Sequence, residues 1–138
     1  VKLNITTEPY ELGDYINLSY DDALPCEDAE CTEIIAEEII DYIPIDKTLD
    51  IIQLFVSKLR LGGKIVLGGT DIIELSKDIL RQNKTMVEVN HELFGDGKKQ
   101  GCLALNDVAT ILSHLGLKVT KQRLDGAKFI VEAIRENG

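Results

Sequence analysis

The sequence predicts a layered α/β domain of three layers, with a mixed, mostly parallel sheet that ends in an antiparallel hairpin. Two stretches carry this prediction. Residues 49–71 read LDIIQLFVSKLRLGGKIVLGGTD. Leu49, Ile52, Phe55, Val56 and Leu59 fall at helical spacing, so one face of the segment is apolar. Gly62-Gly63 is a helix stop, because glycine takes the left-handed conformation without a Cβ clash. Lys64-Ile65-Val66-Leu67 suits a buried strand, Gly68-Gly69 closes it, and Thr70-Asp71 opens a further helix. Helix, turn, buried strand, helix is the repeating unit of a layered α/β domain. At the far end, residues 117–124 and 127–134 are strand-like runs around Asp125-Gly126, a strong hairpin signal.

The remaining elements follow in order. Residues 1–6 alternate apolar and polar, as a strand does, and Thr7-Glu8-Pro9 ends them. Gly13-Asp14 marks a turn, and residues 15–20 form a second strand. Residues 21–32 are a polar loop, and Glu33-Ile34-Ile35-Ala36 is a short strand. Residues 37–43 fit neither period, and Pro44 bounds them. Asp46 or Thr48 caps the helix that reaches Leu61. Asp71 and Glu74 make a capping-box-like start, with Ile72, Leu75, Ile79 and Leu80 as the apolar stripe. Residues 83–102, punctuated by Gly95, Gly97 and Gly101, read as a long lid or binding loop. Asn106 caps the last helix, Val108, Ile111, Leu112 and Leu115 face inward, and Gly116 ends it.

Composition sets the bounds. At 138 residues the chain reads as a single domain, long enough for a genuine core. A net charge of -9, with no basic patch, argues against a nucleic-acid partner. No apolar run approaches the ~20 residues that span a bilayer, and no signal segment opens the chain. The first residue is Val1, so an initiator methionine or more is expected ahead of it. Cys26, Cys31 and Cys102 are an odd number, read as free thiols in a reducing, cytoplasmic setting. A zinc site needs about four converging ligands, and His91 and His114 lack paired spacing with these thiols. The acidic run Glu27, Asp28, Glu30, Glu33, Glu37 and Glu38 matches no calcium-loop spacing and reads as a solvated face.

Several motifs stand in a telling order. Leu24-Pro25-Cys26-Glu27-Asp28 is similar to L-P-F-x-D. Residues 36–43, AEEIIDYI, are similar to A-S-H-V-L-E-H-I. Leu59-Arg60-Leu61-Gly62-Gly63-Lys64 is similar to L-K-P-G-G-x, and Thr70-Asp71 stands where P-D is frequent. Leu93-Phe94-Gly95 and Leu115-Gly116-Leu117 match later segments. With these motifs, residues 24–117 resemble the small class I S-adenosylmethionine-dependent methyltransferases. The resemblance implies a Rossmann-like three-layer sandwich, with seven strands and an antiparallel last one. It implies one methyltransferase-like domain over residues 1–138, S-adenosylmethionine as cofactor, and a small-molecule or sugar acceptor.

The same resemblance assigns site residues. Thr6, Thr7 and Glu8 stand at the loop after the first strand, where the family has glycine so that the backbone can approach the cofactor. Here there is no glycine, and Glu8 adds a negative charge. Ser19 stands where the family has the acid that binds the ribose hydroxyls. Asp22 and Leu24 match the exit of the family's third strand, so residues 15–20 are either that strand, with no normal second one, or the third is missing. Glu38 and Tyr42 stand in place of histidines and Asp41 in place of a glutamate. Glu38 and Asp41 are therefore the candidate bases, although carboxylates at a strand end are also simply well solvated. The expectation is a methyltransferase-like protein with a weakened or lost cofactor site. The alternative is a non-catalytic binding or assembly module on the same fold, with a homodimer as its simplest form.

Overall fold

The computed structural model describes residues 1–7, 12–20 and 22–136. The strands are β1 (Lys2–Thr6), β2 (Ile16–Ser19), β3 (Cys31–Ala36), β4 (Leu59–Thr70), β5 (Leu117–Asp125) and β6 (Lys128–Arg135). The helices are α1 (Thr48–Lys58), α2 (Ile72–Leu80), α3 (Met86–Phe94) and α4 (Leu105–His114), with single 3-10 turns at Ile40–Tyr42 and Ile45–Lys47. The strands form one sheet in the order β2-β1-β3-β4-β6-β5. β1 to β4 run parallel, and β6 is antiparallel to both its neighbours. This is the mixed, mostly parallel sheet with a terminal hairpin that the sequence predicts.

The sheet holds six strands among the described residues, not seven. β2 pairs directly with β1, so a single strand separates β1 from β3 along the chain. Parallel neighbours normally need a crossover of a dozen or more residues, yet only nine residues join these two. Asparagines brace that short connection. Asn4 Nδ2 donates to Asn17 Oδ1 at 2.9 Å, and the Leu12 amide donates to the same oxygen at 3.1 Å. Tyr15 folds back over the sheet. Its hydroxyl lies near Glu33 of β3, and Lys2 Nζ lies 5.5 Å from its ring centroid. Burial, followed by Glu33, pushes the Tyr15 phenol up to about 12.

Burial alternates with a period of two along β6 and the end of β3, whereas β1 and the end of β4 are buried on both faces. Leu3 and Ile5 of β1, Ile34 and Ala36 of β3, Ile65 and Leu67 of β4, and Phe129, Val131 and Ala133 of β6 are all buried. They pack with Ile52, Phe55 and Val56 of α1 and Val108, Ala109 and Leu112 of α4 in one cluster. The alternate positions carry a charge row. Lys64 Nζ lies 3.3 Å from Glu33 and 3.6 Å from Glu132.

Several element boundaries differ from expectation. α1 ends at Lys58, and Leu59 is already extended. The glycine pair is not its stop. Gly62, at φ +80°, sits in an irregular stretch inside β4, where the pairing with β3 shifts between Cys31 and Glu33. Leu49 is 51% exposed and lies off the buried face of α1. Neither Asp46 nor Thr48 caps α1. The Thr48 hydroxyl donates to Pro44 O, one turn back. Gly68-Gly69 does not close β4, which runs on to Thr70 and pairs with Phe129 and Ile130. These two glycines serve close approach instead. A Cβ on Gly68 would collide with the Glu37 carbonyl oxygen, and one on Gly69 would lie 2.7 Å from Asp41 Oδ1.

Asp71 caps α2 as expected, accepting from the Ile73 and Glu74 amides at 2.9 Å. Leu75 is the buried residue of that helix, whereas Leu80 is 83% exposed. The stretch read as a long loop contains α3. Thr85 and Glu88 form a reciprocal capping box at its start. α4 is not capped by Asn106. Asp107 accepts from the Ala104 amide at 3.0 Å, and Asp71 Oδ2 accepts from the Leu105 amide at 2.8 Å. Asp71 thus ties the starts of two helices together. The final hairpin turns on Gly126-Ala127, since Asp125 already pairs with Lys128.

Candidate functional site

In open α/β sheets, ligands sit outside the carboxyl ends of the strands, where the strand order reverses. That reversal falls between β1 and β3. The chain moves outward from β1 to β2 on one side and from β3 to β4 on the other. A cleft of about 430 Å³ opens at this edge. Thr7 follows β1, Glu37 and Glu38 follow β3, and Gly69 and Thr70 end β4, all on its wall. α3 and the segment after it add His91, Glu92, Asp96 and Lys99. The hairpin adds Arg123, Asp125 and Lys128.

Asp41 is the best-defined group there. It sits in the 3-10 turn after β3 and is 4% exposed. Both carboxylate oxygens accept from the Thr70 amide, at 3.0 and 3.1 Å. Lys99 Nζ lies 3.4 Å from Oδ2 and also donates to Glu92 O at 2.9 Å. The Asp41 carbonyl accepts from the Gln100 and Gly101 amides. Burial raises the Asp41 carboxyl above its ordinary value, against the opposing pull of the Thr70 amide and Lys99. A carboxylate with both oxygens bonded, pressed on Gly69, joins the end of β4 to the segment after α3. Its geometry is that of a structural tie.

Tyr42 is the neighbouring feature. Its hydroxyl lies near the Thr7 side chain, and its ring lies 5.4 Å from that of Tyr20, tilted by 37°. Burial is the main cause of its raised pKa. The tyrosine therefore reaches from the exit of β3 to the exit of β1, across the reversal point.

The structure gathers some of the sequence-derived candidates and separates others. Thr7, Glu38 and Asp41 line one cleft. Thr6 is buried at the end of β1. Ser19, Asp22 and Leu24 lie outside the lining. Asp22 Oδ2 accepts from the Ser19 amide at 2.8 Å and so closes its own turn, while Leu24 packs against the core. Glu8 lies outside the described residues. Sequence reasoning missed Lys99, Thr70 and the hairpin cations. Only the Thr85-x-x-Glu88 pattern could have announced α3, and hence the wall that carries His91 and Glu92.

No protein-family model matches this chain, and no curated protein does. Solved structures do. A chain of the complex between the Haloferax volcanii Trm112 methyltransferase activator and the putative methyltransferase superposes with a TM-score of 0.60 at 11% identity, over 94% of this chain and 64% of that one. An S-adenosylmethionine-dependent methyltransferase from Archaeoglobus fulgidus gives 0.56 at 10% identity, over 79% and 61%. A possible histamine N-methyltransferase from Thermotoga maritima gives 0.57 at 13%, over 82% and 60%. The fold is that of the S-adenosylmethionine-dependent methyltransferases. Within that fold the chain spans less than two thirds of the length of these three proteins. No helix among the described residues is long and apolar enough to cross a membrane.

Proposed function

We propose that this chain is a non-catalytic binding module built on the methyltransferase fold, with its S-adenosylmethionine site lost. The observation that carries this reading is Tyr42. With Thr7 beside its hydroxyl and its ring against that of Tyr20, it stands between the ends of β1 and β3, where the resemblance would lay the cofactor. The described residues fit that cofactor poorly in other respects. Thr6 and Thr7 bring Cβ atoms where the family uses glycine. Ser19 offers no bidentate acceptor for a ribose, and Asp22 turns back onto the Ser19 amide. Asp41 holds β4 in place and is not free to act as a base. Glu38 remains at the cleft as a solvated carboxylate.

A second reading, a methyltransferase with a weakened cofactor site and a small-molecule or sugar acceptor, is favoured by the cleft itself. It lies at the strand ends where this fold class binds ligands. Thermal unfolding with and without millimolar S-adenosylmethionine or S-adenosylhomocysteine separates the two. The binding-module reading expects no shift. Ligand at one hundred times its dissociation constant would add about 2.7 kcal/mol, a rise of several degrees, and such a rise would overturn the proposal.

The module reading includes a protein partner, with a second copy of this chain as the simplest one. The two edges of the sheet differ in how they invite it. β5 carries Lys118, Lys121 and Arg123, exposed charges that discourage strand pairing. β2 is the uncharged edge, with Ile16 43% exposed. Sedimentation velocity is expected to show a dimer at micromolar concentration, and a monomer throughout that range would remove the self-association.

A further inference from the structure

The loop before β3 brings two thiols into contact at the opposite end of that strand from the cleft. Cys31, the first residue of β3, is fully buried, and Cys26 is half-buried. Their sulfurs lie 3.0 Å apart. The loop between them is held by several independent ties. The Glu27 amide donates to Glu30 Oε2 at 2.6 Å, and the Ala29 amide donates to Ser57 O at 3.0 Å. Ala29 turns the chain at φ +58°. Lys58 at the end of α1 pairs with Asp28 at 3.0 Å. Two cysteines held face to face by a braced loop are not explained by packing alone. A buried apolar side chain at 31 and any small residue at 26 would fill the same space.

We propose that Cys26 and Cys31 are a reversible redox pair that closes to an intramolecular disulfide by exchange with a small neutral disulfide. The two thiols have distinct parts. Cys26 is the accessible one and attacks. Its thiolate forms a bond to one sulfur of the small disulfide, whose S–S bond breaks and releases one thiolate. Cys31 then attacks the Cys26 sulfur of the mixed disulfide. The protein S–S bond forms, the mixed bond breaks, and the Cys31 proton passes to the second departing thiolate. The protein loses two electrons and two protons in total, and the small disulfide becomes two thiols. Burial pushes the Cys31 thiol up to about 12, consistent with its acting second, within an already formed mixed disulfide. Glu27, Asp28 and Glu30 flank the pair, so an anionic disulfide is repelled and a neutral one is admitted.

The bond would clip residues 26–31 onto the sheet and leave the cleft untouched. The test is therefore independent of the binding-module reading. A Cys102→Ser background removes the third thiol, whose sulfhydryl donates to Thr70 O and lies far along the chain from this loop. The folded protein is equilibrated with hydroxyethyl disulfide, quenched with acid, and analysed by intact mass and thiol labelling. The expected product has no free thiol, a mass lower by two hydrogens, and a higher unfolding temperature than the reduced form. With Cys26→Ser added, the loss of two hydrogens should disappear. Two thiols still free at the most oxidising ratio would overturn the proposal. So would adducts of hydroxyethyl groups on both cysteines, or a disulfide-linked dimer.

Discussion

Replacing Asp41 by alanine should lower the unfolding free energy by about 3–5 kcal/mol, the range for breaking a buried ion pair by removing one partner. The loss has three parts. The Thr70 amide, buried at the end of β4, loses both its acceptor oxygens. Lys99, whose side chain is 15% exposed, loses its counter-ion. The space beside Gly69 is left unfilled. Asp41→Asn should cost less, because an amide oxygen still accepts from Thr70. The pH dependence then separates charge from shape. The folded carboxyl has a pKa above its ordinary 3.8, so the folded protein holds more protons than the unfolded chain between the two values. Wild-type stability relative to Asp41→Asn should therefore increase as pH falls through that window. It should decline again as pH rises through the folded value. Urea unfolding of the three proteins across this range measures both effects. A loss under about 1 kcal/mol for the alanine variant would mean that the tie contributes no more than an ordinary hydrogen bond.

Leu59→Ala is expected to cost roughly 2–5 kcal/mol, the range for a leucine truncated in a core that cannot collapse. Leu59 is fully buried at the junction of α1 and β4, in the same cluster as Ile52 and Val56. Gly63 packs against it, since a Cβ there would lie 3.2 Å from Leu59 Cδ2. The backbone around it is fixed by pairing with Cys31 on one side and by the irregular turn through Gly62 on the other. Little can move in to fill the void. A change below about half a kcal/mol in urea unfolding would show that the junction relaxes, and that α1 is held by its other contacts.

Glu38 and Asp41 illustrate how identical chemistry separates in space. They stand three apart in one segment and read as equivalent acids in the sequence. One is solvated at the cleft, and the other is buried under Thr70. Which is which depends on the 3-10 turn at Ile40–Tyr42, which turns Asp41 inward and lets Tyr42 reach Thr7. The resemblance likewise gives Ser19 and Asp22 to a ligand, and the fold uses them to close a turn on each other.

What the sequence determined by itself was local and periodic. The alternation of β1, β3 and β6, the apolar face of α1, the Asp71 cap and the terminal hairpin all rest on residues a few positions apart, whose backbone preferences act without help from the rest of the chain. The Thr85–Glu88 box belonged to the same class and was there to be read. What only the tertiary structure decided was the use of each polar group. Asp41 meets Thr70 across 29 positions and Lys99 much later still. Gly68 and Gly69 are glycines because another segment passes too close for a Cβ, not because a strand ends there. Such contacts depend on where distant segments meet in a shared core, and no short-range pattern encodes that meeting.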